Sequence, residues 1–350
     1  MDRTDNRRVV TFGEVMGRFS APGYSMLTQA SCFEVGFAGS EANVAVSLAN
    51  YGMEVDYFTS LPDNPIADRC IRELRGFGVG VDRIVRTGER LGIMYQETGS
   101  NNRPSRVFYD RAGSAFATLN PDNIDWHRIL EGATWLHWSG ITPALSDSSA
   151  RLCGNALRTA SELGITISCD INFRRNLWRY GKKAENVMPS LLEHCNVVIG
   201  NEEDCGEVLG ISPQDFDVEH TGGQIDPYRF ESVCQCVMQR FPRCTKVALT
   251  LRGAISANHN TWGAVLYDGF TLHCSPRYDL TDIVDRVGAG DSFSAGLIFG
   301  LLVGYNPSRA LEFATAASCL KHTIRGDYNM VSVADIQRLM QGSASGRVVR

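Results

Sequence analysis

The chain has 350 residues, 43% apolar, 21% charged and 9% aromatic, with 34 Lys and Arg against 39 Asp and Glu for a formal charge of −5. That mix excludes disorder, collagen and coiled coil for the whole chain, and the weakly acidic balance gives no general attraction for nucleic acid or an anionic membrane. No run reaches the roughly 18 apolar residues of a membrane span, and the polar start passes straight into Val9-Val10-Thr11-Phe12 without the apolar core of a signal peptide, so a cytoplasmic protein is expected. Glycine is abundant, with 34 residues or about 10% against a usual ~7%. The 11 cysteines are odd in number and scattered, and Cys234-Gln-Cys236 lacks CxxC spacing, so they read as reduced, mostly buried thiols.

In chain order, Arg8–Thr11 reads as a first strand. Glu41–Asn50 places Ala42, Ala45, Leu48 and Ala49 at helical spacing, with Gly52 as a stop. Glu54–Ser60 is a strand and Pro65–Leu74 a helix with its charges on one side. Trp135–Ser139 is a short apolar strand, and a helix start at Pro143 and Ser146 leads through Leu152, Ala156 and Leu163 to Gly164. Ile165–Asp170 and Val197–Asn201 are strands, the second running into an acidic helix start. Lys246–Leu251 is a strand, and Ala264–Tyr267 with Phe270–Cys274 flank Asp268-Gly269, a hairpin signal. Phe293–Val303, Ser308–Leu320 and Val333–Met340 are helical. Alternating strands and helices argue for an α/β fold with a mainly parallel sheet. Phe19–Ser20, Phe33–Phe37, Leu91–Thr98 and Arg106–Arg111 break that rhythm. They cannot all sit in a helix-covered parallel sheet, so they predict a small antiparallel lid. Asp215–Asp226 reads as a loop and Gly342–Arg350 as a frayed end.

The sharpest segment is Asp285-Arg-Val-Gly288-Ala289-Gly290-Asp291 before the Phe293 helix. Free N–H groups at a helix start make a site for phosphate, and glycines let backbone approach it. A carboxylate there is out of place for anion binding unless Asp291 takes a proton from an attacking hydroxyl; an N-cap is the plain alternative. GxxxxGK[ST] is absent, and Gly76-Phe-Gly78-Val-Gly80 fails the GxGxxG spacing, so neither a P-loop nor a dinucleotide fold is supported. Gly39-Ser-Glu-Ala-Asn43 opens the first helix and can offer backbone and amide groups to a hydroxylated ligand. Asn201-Glu202-Glu203-Asp204 ends a strand, where carboxylates suit Mg²⁺ held through water or simply cap a helix. Asp170-Ile-Asn172-Phe-Arg174 ends another strand, and Tyr109-Asp110-Arg111 a lid strand. Both arginines are suited to clamp a carboxylate, or to face solvent.

Taken together, Gly39–Ala45, Asn201–Asp204 and Asp285–Gly296 resemble the signatures of the ribokinase-like, or PfkB, family of sugar kinases, over roughly Val9 to Met340. Leu61–Pro65, Arg103–Arg111, His137–Ser146, Cys169–Arg174 and Ile283–Phe293 carry a finer resemblance to its 2-keto-3-deoxygluconate kinase branch. The resemblance implies a single domain over residues 1–350, with a doubly wound α/β sheet flanked by helices. A small β lid would come from segments near 14–37 and 91–111. It implies transfer of the ATP γ-phosphoryl to a sugar hydroxyl, with Asp291 as base and the Gly288, Ala289 and Gly290 amides as anion hole. Gly39, Asn43, Tyr95, Tyr109, Arg111 and Arg174 would contact the sugar. Asn201, Thr250, Arg252 and Gly253 would border the nucleotide, the last three following a late strand.

Asn201 and Asp204 would organise Mg²⁺, and Asp285 matches a position that often binds K⁺. Two desolvated arginines favour an acid sugar over a neutral one. Ala38, Asp204 and Arg286 depart from the commoner Gly, Glu and Thr without removing an essential part. A fructokinase-like activity and a non-catalytic sugar-binding protein are the alternatives. A homo-oligomer, a dimer through the lid, is the expected assembly.

Overall fold

The computed structural model describes residues 7–201, 203–213 and 225–342; Glu202, most of the loop read at 215–226, and the end read at 342–350 beyond its first residue lie outside the described residues. Short apolar runs buried on both faces make the central sheet, as helix-covered parallel strands require. In β1 (Arg8–Phe12), Val9, Val10 and Phe12 are fully buried. The chain then makes β2 (Met16–Ser20), β3 (Glu34–Ala38), α1 (Ser40–Asn50), β4 (Val55–Phe58) and β5 (Ser60–Leu61). After α2 (Pro65–Gly76) come β6 (Val85–Arg86), β7 (Ile93–Glu97) and β8 (Arg106–Asp110). Next are α3 (Trp126–Ile129), β9 (Ala133–Ser139), α4 (Ile141–Ala144), α5 (Asp147–Glu162), β10 (Thr166–Asp170), α6 (Ala184–Leu192), β11 (Val197–Asn201) and α7 (Asp204–Leu209). Then α8 (Glu231–Arg240), β12 (Lys246–Ser256), β13 (His259–Tyr267), β14 (Leu272–Cys274) and β15 (Tyr278–Leu280) lead to α9 (Ala289–Leu302), α10 (Pro307–Lys321) and α11 (Val333–Met340).

The central sheet has the order β14-β13-β12-β11-β10-β9-β1-β4, with β15 also on β13. Its strands are parallel from β4 to β12 and antiparallel beyond. One apolar core lies against α5, α6 and α8, and the other against α1, α9 and α10, which is the doubly wound α/β arrangement. The predicted hairpin is present, with Tyr267 paired to Leu272 across Asp268–Thr271. Two of the boundaries that moved bear on the site. β12 runs on to Ser256, because it forms a second hairpin with β13. α9 begins at Ala289, before its first large apolar residue, because glycine and aspartate in its first turn hide the helical period.

The four odd segments form a separate sheet of order β3-β2-β7-β8. It is mixed rather than antiparallel: β2·β3 and β7·β8 are antiparallel, but the central pair β2·β7 is parallel. A stretch containing α1, β4 and α2 separates the two pairs, and a crossover of that length permits parallel pairing. The outer side of this sheet leaves Val35 and Phe108 exposed. Among the described residues no helix is long and apolar enough to cross a membrane. The cysteines are free thiols, most of them buried.

Candidate active site

The carboxyl ends of β10, β11 and β12, the start of α1 and the start of α9 meet the inner face of the small sheet around a cavity of about 500 Å³. Open α/β sheets place ligands at this end of their strands.

Asp291 lies in the first turn of α9, nearly buried. Its Oδ1 accepts from Ser40 Oγ at 2.6 Å and its Oδ2 from Asn43 Nδ2 at 2.7 Å. Burial pushes its carboxyl above the usual range, and those two bonds oppose the shift. A carboxylate so placed is closer to the working pH of a base. Gly288 caps the helix with φ 81°, and a Cβ there would overlap the Asp327 carbonyl oxygen, so no other residue fits. At Gly290 a Cβ would meet no protein atom within 4 Å. Protein packing therefore does not demand this glycine, and its N–H, in the first helical turn, has no intrahelical acceptor. The Ala289 amide is less open, donating to Arg286 O at 3.3 Å.

A polar network continues from Asp291. Asn172 Nδ2 donates to Ser40 Oγ at 3.2 Å, and Asn43 Nδ2 reaches Asp327 Oδ2 at 3.4 Å. Asn172 has φ 41°, a conformation rare outside glycine and one that concentrates at functional sites. Two buried acceptors on cavity-lining residues have no partner among the described residues, Asn43 Oδ1 and Glu14 Oε1. Each would be satisfied by a hydroxyl.

The small sheet obeys the two-residue period of a strand. Val107, Tyr109 and Arg111 face the cavity from β8 and its end, and Met94 from β7. Tyr95 therefore points to the opposite face, where its ring lies 5.7 Å from Phe19 and 6.1 Å from Phe33. It does not line the cavity, which corrects its place among the sugar contacts. Gly253 is also off the cavity: it is internal to β12 and paired with Thr261 rather than following the strand, whereas Thr250 and Arg252 do line it. Gly39 lines the cavity too, but its lack of a side chain has a packing cause. A Cβ there would stand 2.5 Å from Glu14 O.

The two arginines differ. Arg111 Nε donates to Glu14 Oε2 at 2.7 Å, its Nη2 pairs with the same oxygen, and both side chains are buried. Arg174 is exposed at the cavity and pairs with no carboxylate among the described residues, donating only to Phe173 O at 2.9 Å. Near it, Asp204 accepts from the Asn201 and Phe173 amides, and Asn201 Oδ1 accepts from the Glu203 and Asp204 amides. Burial raises the Asp170 carboxyl well above its usual range, with Asp204 and Asp291 adding to this and Arg174 opposing it. Asp285 is outside the cavity, in an ion pair with Arg18 at 2.6 Å.

The model of the pfkB family of carbohydrate kinases matches residues 6–223 and 259–333. The chain belongs to that family. Among relatives of this pfkB kinase, a 2-dehydro-3-deoxygalactonokinase of Haloferax volcanii is 33% identical over 97% of this chain and 98% of its own. A 2-dehydro-3-deoxygluconokinase of Bacillus subtilis is 28% identical over 91% and 90%. The crystal structure of a 2-dehydro-3-deoxygluconokinase from Thermotoga maritima superposes with a TM-score of 0.90 at 42% identity, covering 96% of this chain and all of that one.

Sequence reading missed Glu14, Ser40 and Asp327, which line this cavity, and Arg18, which lies outside it and pairs with Asp285 and Asp327. Ser40 sat inside a noted motif. The other three carry no local pattern, because each acts through a partner distant in sequence.

Proposed function

We propose that this pfkB kinase transfers the γ-phosphoryl of ATP to the 6-hydroxyl of 2-keto-3-deoxygluconate or its galactonate epimer. The names of the relatives support an acid-sugar substrate. The observation that carries the reading is Arg174, a guanidinium without a carboxylate partner among the described residues, lining the same cavity as Asp291. A sugar carboxylate would supply the missing partner. Asn43 Oδ1 and Glu14 Oε1, buried on residues that line the same cavity and unpartnered among the described residues, have acceptor capacity left for hydroxyl groups once a ligand opens a way to them.

In the reaction Asp291 takes the proton of the attacking hydroxyl. The sugar oxygen bonds to Pγ, the bond from Pγ to the bridging oxygen breaks, and ADP leaves. The Gly288 and Gly290 amides stabilise the transferring group, with Ala289 contributing less, and Ser40 and Asn43 hold Asp291 in line. Among the described residues no group of three or more His, Cys, Asp or Glu side chains is placed to hold a metal directly. Asp204 has both oxygens on backbone amides, so it and Asn201 suit Mg²⁺ held through water rather than a closed cage. Mg²⁺ arriving with the nucleotide neutralises phosphate charge.

The Arg111–Glu14 pair favours a second reading. Of the two arginines assigned to the sugar it leaves one without a carboxylate partner, which lowers the bias against a neutral sugar such as fructose. ADP release over a panel of both keto-deoxy acids, fructose and ribose with Mg²⁺ decides. Turnover with a sugar acid at a kcat/KM well above that for fructose is expected. Turnover with fructose alone establishes the second reading, and no ADP with any sugar overturns both.

A further inference from the structure

We infer that this chain carries its own cation behind the phosphoryl loop, the guanidinium of Arg18, so that the activity needs no monovalent metal ion. The inference rests on the kinase reading above. Family resemblance implied K⁺ at Asp285, and the residues present do not fit that ion. The Asp285 carboxylate already carries three bonds, one of them from a guanidinium. Its Oδ2 accepts from Arg18 Nη2 at 2.6 Å and from the Gly326 amide at 3.1 Å, and its Oδ1 from the Val287 amide at 3.1 Å. Arg18 is only 5% exposed. Its Nη1 pairs with Asp327 and its Nε donates to Ser20 Oγ at 2.9 Å.

Lys321 is fully buried within electrostatic reach, its Nζ donating to Ile324 O at 3.1 Å. Burial lowers its pKa, and Asp285 and Asp327 work against that shift. Two carboxylates, Asp285 and Asp327, thus already face two cations. A further ion would add like charge where water cannot screen it.

The geometry gives Arg18 a task. Asp285 stands at the front of the Gly288–Gly290 loop, and the backbone at Asp327 lies directly beneath Gly288. Joining the two carboxylates sets where the loop amides point. Arg18 stands on β2, so the small sheet and the loop share one ion-paired joint. It touches no reacting atom and is a positioning residue.

The test measures ADP release and melting temperature in tetramethylammonium buffer, with added KCl against matched NaCl or tetramethylammonium chloride. Wild type is expected to show no K⁺-specific change in rate or melting temperature, since an ion that bound the folded state would raise the latter. Arg18→Ala empties the joint, and a second cavity of about 230 Å³, lined by Arg18 and Asp285, gives an ion a way in. Its kcat should fall on the order of 100-fold, as for a misplacement of about 1 Å, with K⁺ restoring much of it. Arg18→Lys keeps the charge and should be intermediate and indifferent to K⁺.

The inference is overturned if KCl specifically activates or stabilises wild type, if Arg18→Ala keeps the wild-type kcat, or if K⁺ fails to restore a folded Arg18→Ala, as a merely structural role predicts. If Arg18→Ala does not fold, the wild-type and Arg18→Lys arms still decide. If no sugar yields ADP, the kinase reading fails while the melting arm still answers for the cation.

Discussion

Asp291→Asn removes the proposed base and little else. The asparagine oxygen still accepts from Ser40 Oγ. Its amide would meet the Asn43 amide donor to donor, but Asn43 Oδ1 has no partner, and a half-turn of that side chain offers it as acceptor. That turn gives up the long Asn43 bond to Asp327 Oδ2 at 3.4 Å, so the network closes again around a neutral residue at the cost of that one contact. Loss of a general base costs on the order of 10²–10⁴ in rate, which is about 3–5 kcal/mol of transition-state stabilisation. Stability should move the other way. Burial holds the Asp291 carboxyl above its usual range, so its stability contribution is full below the unfolded pKa and is lost as pH rises through the folded one. Asparagine escapes that loss, and the melting temperature near neutral pH should be unchanged or higher. Coupled ADP release at saturating sugar acid gives kcat, and scanning fluorimetry in the same buffer gives the melting temperature. A kcat within about threefold of wild type refutes the base assignment, given the size of the effect at stake. A slow variant that also melts several degrees lower refutes the repair of the network.

Five further outcomes are expected. Arg174→Ala should raise KM for the sugar acid by about 10- to 100-fold, the worth of a charge-assisted bond, without moving the melting temperature; Arg111→Ala, which strands the buried Glu14, should cost about 3–5 kcal/mol of stability, with Glu14→Gln recovering much of it in a urea melt. Burial lifts Glu41 to about 7 against the bonds from Ser139, with Asp291 adding to the rise, so wild type should lose stability as pH climbs from the usual 4.5 toward 7. That loss is roughly 1.4 kcal/mol per pH unit from this group, and Glu41→Gln should flatten it in urea melts across the range. Gly288→Ala should lose about 1–2 kcal/mol from its backbone conformation alone and lower kcat, whereas Gly290→Ala, with open space at its Cβ, should melt normally and lose only kcat/KM for ATP.

The order of strands and helices was legible because it rests on local periodicity. Val9, Val10 and Phe12 are an apolar run whatever they pack against, and Ser146 caps α5 through the Ser149 amide three residues on. The start of α9 was less legible by period than by chemistry, since Gly288, Gly290 and Asp291 interrupt the apolar pattern that marks the rest of the helix. The mixed pairing of the small sheet was not legible, because parallel or antiparallel pairing is decided by where a distant segment enters.

The sequence by itself marked Gly288–Asp291 as a candidate anion site, because the free amides of a helix start come from consecutive residues, whereas the partners that hold the Asp291 carboxylate, Ser40 and Asn43, lie 251 and 248 positions away. The tertiary structure decided which charges in the cavity remain free. Arg111 and Arg174 look alike in sequence, yet Glu14, 97 positions from Arg111, neutralises one and not the other. Asp285 reads as an open cation ligand until Arg18, 267 positions away, fills it. Tyr95 reads as a sugar contact until strand pairing sets the face it points from. An ion pair or a buried face belongs to the packing of remote segments, and no local pattern encodes it.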